Sequence, residues 1–123
     1  MFTKFLVVDD QDADQLLAEY AITDYNPAAE IHKAFDGEEA LGVLRNVSGI
    51  ELILLDINMP GMNGHEFLAN YHTDDPDAPV VVMLTSSDQT ADRERCAQYQ
   101  IVIDYLTKPL EDVDLRRIEQ KVE

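Results

Sequence analysis

The residues of this sequence best suited to chemistry are acidic, hydroxyl and ammonium groups that follow apolar segments. Asp9 and Asp10 follow the first apolar segment, Asp56 the third, Thr85 the fourth and Lys108 the fifth. Carboxylate oxygens without histidine or thiolate partners suit a hard cation, and Mg²⁺ fits such a small set better than Ca²⁺. A carboxylate also attacks phosphorus, while hydroxyl and ammonium groups stabilise phosphoryl oxygens. The set therefore favours metal-assisted phosphoryl transfer with Asp56 as nucleophile.

The apolar segments themselves predict five strands, because they are short, rich in Val, Ile and Leu, and apolar on consecutive positions. They are Phe5–Val8, Glu30–Phe35, Leu52–Leu55, Val80–Leu84 and Ile101–Leu106. Helical spacing of apolar residues follows each of them, over residues 11–23, 37–47, 64–71, 88–99 and 111–122. This alternation predicts an α/β fold, a flavodoxin-like doubly wound (βα)5 domain over residues 1–123 with parallel strand order 2-1-3-4-5.

Two of the helices carry apolar residues that the spacing predicts to face the core. These are Ala13, Leu16, Leu17 and Tyr20 in the first helix and Val113, Leu115, Ile118 and Val122 in the last. Gly61 and Gly64 are expected to serve a turn and a tight helix start after the third strand.

The predicted strand order brings the three aspartates together. Ligands of such sheets bind at the carboxyl ends of the strands, and strands one and three are neighbours about 4.8 Å apart. Three carboxylates within ~4–6 Å repel by several kcal/mol at an effective dielectric constant near 20. Either a positive charge must offset this repulsion, or one carboxyl group must be protonated. Lys108 begins roughly 10 Å from Asp56, and its flexible side chain covers much of that gap.

Composition excludes several classes of function. The chain has 25 acidic and 9 basic residues, for a net charge of −16, which argues against direct binding to nucleic acid or to anionic membranes. Cys96 is the single cysteine, so no internal disulfide forms. The longest apolar run, Val80–Leu84, is too short to span a bilayer, and no basic and apolar leader is recognisable. We expect a soluble chain in the cytoplasm.

Five motifs in this order resemble the receiver domain of two-component response regulators, and they cover nearly the whole chain. They are Leu6–Asp10, Asp36–Leu41, Leu54–Gly64, Val82–Thr85 and Tyr105–Pro109. The resemblance implies a single-domain signalling switch similar to chemotaxis regulators. It also implies a sensor histidine kinase or a histidine phosphotransfer protein as phosphoryl donor, and a downstream protein target.

The resemblance assigns a role to each site residue. Asp56 resembles the phospho-acceptor, and Asp9 and Asp10 resemble the acidic pair that holds Mg²⁺ together with Asp56. The backbone carbonyl of Asn58 is implied as a further ligand. Self-catalysed phosphotransfer and dephosphorylation are implied, without turnover of an external metabolite.

A second group of residues resembles the family's switch. Thr85 resembles the hydroxyl that moves toward the phosphoryl group, and Tyr105 the aromatic that exchanges exposed and buried rotamers. Lys108 resembles the lysine of the site, and its bond to Pro109 is expected to be cis. The implied signalling face consists of the helix over 88–99, the fifth strand and the helix over 111–122. Homodimerisation through that face is left open.

The sequence departs from the family pattern at Ser86, where a smaller residue is frequent, and at Ile101-Val102, where Gly-Ala is frequent. Two other functions stay open. A phosphatase of the haloacid-dehalogenase type would place an acid where this chain has Asn58. An adaptor that works without phosphorylation would not need an intact acidic site. The sequence ends at Glu123 without a DNA-binding or catalytic segment. A complete chain is expected to signal through protein contacts, whereas a domain excised from a longer protein would leave its output open.

Overall fold

A five-stranded parallel sheet forms the centre of the molecule, with the order β2-β1-β3-β4-β5. The computed structural model describes residues 1–57, 59, 61–71, 78–85, 94–95 and 97–122. Its strands are β1 (Lys4–Val8), β2 (Glu30–Ala34), β3 (Leu52–Asp56), β4 (Val80–Thr85) and β5 (Val102–Thr107). Its helices of seven residues or more are α1 (Asp12–Tyr25), α2 (Gly37–Asn46), α3 (Gly64–Asn70) and α4 (Asp112–Val122). The predicted fold class and strand order are confirmed.

Several predictions concern residues outside the described ranges. They include most of the helix predicted over 88–99, together with Asn58, Ser86 and Cys96. The helix predicted over 111–122 corresponds to α4. Among the helices of the described part, none is both long enough and apolar enough to cross a membrane.

The central strands are buried on both faces, as their consecutive apolar residues predicted. Alternate side chains of a strand point to opposite faces, so each strand supplies two cores. Phe5 and Val7 pack in the core beneath α1 and α4, and Leu6 and Val8 pack in the core beneath α2 and α3. Each buried side chain of this size contributes about 1.5–3 kcal/mol, so the two cores stabilise β1 as an inner strand between β2 and β3.

The predicted buried face of α1 is wrong. Leu16, Leu17 and Tyr20 are 45, 47 and 58% exposed, and Ala13 is exposed as well. The residues that α1 buries are Gln15, Ala18, Ala21, Ile22 and Tyr25. Hydropathy alone selects the leucines, whereas the contact with the sheet uses small alanines and one amide that meets backbone carbonyls. In α4, Leu115 and Ile118 are buried as predicted, but Val113 and Val122 are exposed.

Side-chain hydrogen bonds fix the starts of α2 and α3. Asp36 accepts a hydrogen bond from the backbone of Glu39 at the start of α2. Asn63 and Glu66 form a reciprocal capping box at the start of α3. A Cβ atom on Gly64 would lie 2.6 Å from the backbone oxygen of Asp56, so only glycine lets α3 begin against the end of β3. Gly61 has a φ of +70°, as expected for a glycine in the turn that precedes α3.

The buried hydroxyl of Tyr25 joins the N-terminal segment, α1 and α4. It accepts a hydrogen bond from the backbone N–H of Phe2 at 2.7 Å and donates one to the Glu119 carboxylate. The guanidinium of Arg116 lies 5.7 Å from the centre of the Tyr25 ring. Burial and the hydrogen bond to Glu119 together raise the pKa of Tyr25 to about 12. These contacts stabilise the packing of α4 on α1.

We predict that Tyr25→Phe lowers the free energy of unfolding by about 1–3 kcal/mol, since it leaves the buried N–H of Phe2 without its acceptor. Urea denaturation at neutral pH measures this, and Tyr20→Phe, on the exposed side of the same helix, should be neutral. The difference in unfolding free energy between Tyr25→Phe and the unchanged protein should become smaller from about pH 10 to about pH 12. The folded state holds the phenol proton above its ordinary pKa, so the unchanged protein loses this stabilisation as the pH rises through that range. Equal effects of the two substitutions would contradict this role.

Candidate functional site

Three aspartates converge at the carboxyl edge of the sheet. Val8 pairs with Leu55 across β1 and β3, so Asp9 and Asp56 are the next residues on neighbouring strands. One oxygen of each of Asp9, Asp10 and Asp56 lies within 4.8 Å of the others. Asp9 and Asp56 are buried, and Asp10 is half-buried. This confirms the convergence that the strand order predicted.

Lys108 supplies the positive charge of this cluster. Its ammonium lies 2.6 Å from Asp9 Oδ2, 2.9 Å from Asp14 Oδ2 and 3.6 Å from Asp56 Oδ2. The first two distances are hydrogen bonds, and the third is an ion pair without one. The ammonium therefore neutralises part of the acidic cluster, and it lies closer to Asp9 and Asp14 than to Asp56.

Burial and hydrogen bonds shift the pKa values of the pair formed by Asp9 and Lys108. Burial raises the pKa of Asp9 above its ordinary value, although hydrogen bonds from Lys108 and from the Gln11 backbone act in the opposite direction. Burial alone would lower the pKa of Lys108, but its hydrogen bonds to Asp9 and Asp14 and the attraction of Asp56 outweigh burial and raise it. Lys108 is therefore held as an ammonium ion.

The end of β5 positions Lys108. Thr107 pairs with Thr85 across β5 and β4, and the backbone N–H of Lys108 donates to the carbonyl of Thr85 at 2.7 Å. The bond between Lys108 and Pro109 is cis, as expected. The pairing of β5 with β4 thus places Lys108 at the strand ends, close to aspartates that are distant in the sequence.

The two residues that resemble a switch lie on the adjoining strands. Thr85 ends β4, directly after Leu84, which pairs with Asp56. Its side chain is buried. Tyr105 lies in β5, where it is also buried and packs in the core beneath α2 and α3. The positions agree with a switch, whereas the exchange of rotamers stays a prediction.

Sequence reasoning missed two residues of α1, Asp14 and Gln15. The sequence motifs assign no role to Asp14, while in the structure it binds Lys108. The amide nitrogen of Gln15 donates at 2.9–3.1 Å to the backbone carbonyls of Val7, Asp9 and Ala34. Gln15 thereby ties α1 to the ends of β1 and β2. The local signal was weak, because Gln15 is one of several polar residues in α1, with Asp12, Asp14, Glu19, Thr23 and Asp24.

We predict that Gln15→Met lowers the free energy of unfolding by about 1–3 kcal/mol, because buried carbonyls at the end of the sheet lose a donor. Thermal or urea denaturation measures this loss. Gln11→Met is the matched control, since the Gln11 side chain is exposed and donates only to Asp10 among the described contacts. If Gln15→Met lowers the free energy of unfolding no more than Gln11→Met does, Gln15 does not anchor α1 to the sheet.

An open cleft of about 280 Å³ leads to Lys108 from the side of α1. Asp14, Leu17 and Lys108 lie along it together with Pro109 and Leu110. The exposed leucine places apolar surface directly beside the charged groups.

Comparison with known proteins agrees with this fold and site. Residues 5–120 match the family model of the response regulator receiver domain. The response regulator PleD of Caulobacter vibrioides is 36% identical over 118 residues, which are 94% of this chain and 25% of the relative. The heme response regulator HssR of Staphylococcus haemolyticus is 37% identical over 114 residues, 91% of this chain and 47% of the relative. The chain spans between a quarter and about half the length of such curated relatives.

Solved structures show the same similarity. A two-component response regulator from Cytophaga hutchinsonii superimposes with a TM-score of 0.87 at 26% identity, covering 98% of this chain and 96% of the other. The chemotaxis protein CheY4 of Vibrio cholerae superimposes with a TM-score of 0.78 at 25% identity over the whole of both chains. The chain belongs to the receiver-domain family of two-component response regulators. It is therefore a domain of phosphorylation-dependent signalling.

Proposed function

We propose that this domain accepts a phosphoryl group on Asp56 and signals through the conformation that follows. The observation that carries the proposal is the convergence of Asp9, Asp10 and Asp56 with Lys108 at one sheet edge. A carboxylate oxygen of Asp56 attacks phosphorus, the new O–P bond replaces the bond to the donor, and the donor keeps the bonding electrons and takes up a proton. Water then hydrolyses the acyl phosphate to phosphate and restores the carboxylate.

The donor set fits Mg²⁺. Three carboxylate oxygens within reach of one another suit a hard cation that retains several waters. Asp9, Asp10 and Asp56 would hold the ion, with the Asn58 carbonyl as a further ligand from outside the described residues. When bound, Mg²⁺ neutralises carboxylate and phosphoryl charge. Lys108 binds one phosphoryl oxygen, and the Thr85 hydroxyl donates to another.

A protein donor is the best-supported source of the phosphoryl group. Leu16, Leu17 and Tyr20 form an exposed apolar strip on α1, and Leu17 lies on the cleft that leads to Lys108. Apolar surface next to a reactive group is typical of a protein contact. A sensor histidine kinase or a histidine phosphotransfer protein carries phosphohistidine and would present it here. The cytoplasm stays the predicted compartment.

The signalling surface is proposed to lie around β5 and α4, next to the helix predicted over 88–99. Tyr105 and the end of β4 connect this side to Asp56. Asp104 of β5 binds Arg117 at 2.7 Å and Lys121 at 3.2 Å on α4, so strand and helix form one charged surface. A downstream protein that reads this surface is the proposed target.

We predict that Asp56→Asn abolishes modification by acetyl phosphate, because an amide does not attack phosphorus. Intact mass measures the added phosphoryl group, with and without Mg²⁺. Asp24→Asn, at the exposed end of α1, is the control for the loss of one charge and should be modified as fully as the unchanged protein. Modification of the Asp56→Asn protein, or modification independent of Mg²⁺, would contradict the proposal and favour an adaptor.

We also predict that Mg²⁺ stabilises the fold. At roughly ten times its dissociation constant it should raise the free energy of unfolding by about 1–2 kcal/mol, since it binds the folded cluster. Differential scanning calorimetry measures this against NaCl of equal ionic strength, which screens the net charge equally. Asp10→Asn should lose most of the gain, and Asp24→Asn should keep it. A gain that survives in Asp10→Asn would place the cation elsewhere.

A further inference from the structure

A fourth carboxylate, Asp14, contacts the lysine of the site. Its Oδ2 accepts a hydrogen bond of 2.9 Å from the Lys108 ammonium, while Asp56 lies at 3.6 Å, beyond hydrogen-bond distance. Asp14 lies in the first turn of α1 on the wall of the cleft, and its side chain is about one-third exposed. The ammonium is thus held on the α1 side of the pocket while Asp56 is unmodified.

We propose that Asp14 is a positioning residue that holds Lys108 in the unmodified state and competes with the phosphoryl group for it. An ammonium has three N–H donors, and Asp9 and Asp14 engage two of them. The third N–H can reach a phosphoryl oxygen on Asp56, and the attraction of that group would draw the ammonium toward Asp56 and away from the α1 side. Asp9 is next to Asp56 on the sheet and can keep its contact, so Asp14 is the partner that is released.

The contact with Asp14 therefore lowers the affinity of the site for a phosphoryl group on Asp56. An ion pair with Asp14 must break before Lys108 is fully engaged, so Asp14 favours the unmodified state. It also returns Lys108 to a fixed place when the phosphoryl group leaves. The release separates the Asp14 carboxylate from its ammonium partner on the wall of the cleft beside Leu17. The local charge on α1 thereby depends on whether Asp56 is modified. This inference rests on the proposed phospho-acceptor function.

The test compares Asp14→Asn with Asp12→Asn. Both substitutions remove one negative charge from the first turn of α1, but Asp12 is exposed and has no described contact with Lys108. The probe is beryllium fluoride with Mg²⁺, an unreactive mimic of a phosphoryl group on a carboxylate, and calorimetry measures its dissociation constant. We expect Asp14→Asn to bind the mimic roughly fivefold more tightly than Asp12→Asn, the factor that corresponds to about 1 kcal/mol.

A second measurement tests the contact without any phosphoryl mimic. NMR of protein labelled with ¹⁵N-lysine, free of Mg²⁺, follows the exchange of the Lys108 ammonium hydrogens with water, and Lys108→Arg identifies the signal. The exchange should be several-fold faster in Asp14→Asn than in Asp12→Asn. A purely structural role for Asp14 would leave this local rate unchanged.

The outcomes separate the two proposals. Equal affinities in the two variants, or weaker binding by Asp14→Asn, would overturn the competition while leaving the phospho-acceptor function intact. Unchanged hydrogen exchange would overturn the hold on Lys108. Failure of the unchanged protein to bind the mimic would refute the phospho-acceptor function, and the role of Asp14 would fall with it.

Discussion

The burial of like charges at one edge of the sheet is the constraint on which the rest of the structure depends. Asp9 and Asp56 lose most of their hydration, and their mutual repulsion in that environment is worth several kcal/mol unless a cation offsets it. The Lys108 ammonium supplies that charge from 99 residues beyond Asp9. The fold must therefore bring β1, β3 and β5 into fixed relation, and the order β2-β1-β3-β4-β5 does so. One lysine does not balance three or four carboxylates, which is why the site favours a further cation.

This constraint explains the chemistry better than the net charge does. The charge of −16 belongs to the chain as a whole. Asp9 and Asp56 are instead buried at the edge of the sheet, close to α1 and to the end of β5. Enclosure raises the pKa of Asp9 and strengthens each contact of Lys108, because screening by water is weak there. Under the proposed function, a phosphoryl group would enter a site whose single described ammonium already has partners, so modification would rearrange existing contacts.

Helix α1 links the site to the surface through its two faces. The inner face is formed by Ala18, Ala21, Ile22 and Tyr25 and by Gln15, whose amide binds three carbonyls at the strand ends. The outer face exposes Leu16, Leu17 and Tyr20, and Leu17 lines the cleft. Close packing of the inner face against the sheet places Asp14 within reach of Lys108. The same rotation of the helix that exposes the leucines therefore also adds the fourth carboxylate to the site.

The sequence by itself determined the strands, their order and the convergence of Asp9, Asp10, Asp56 and Lys108. Buried parallel strands have a strong local pattern, and the residues that follow them must meet at one edge. The tertiary structure alone decided the phase of α1 and with it the contacts of Asp14 and Gln15. Helical spacing in α1 allows more than one apolar face, and the choice between them depends on which face satisfies the carbonyls and fits the sheet most closely. Those contacts involve residues distant in the chain, so no local pattern of hydropathy encodes them.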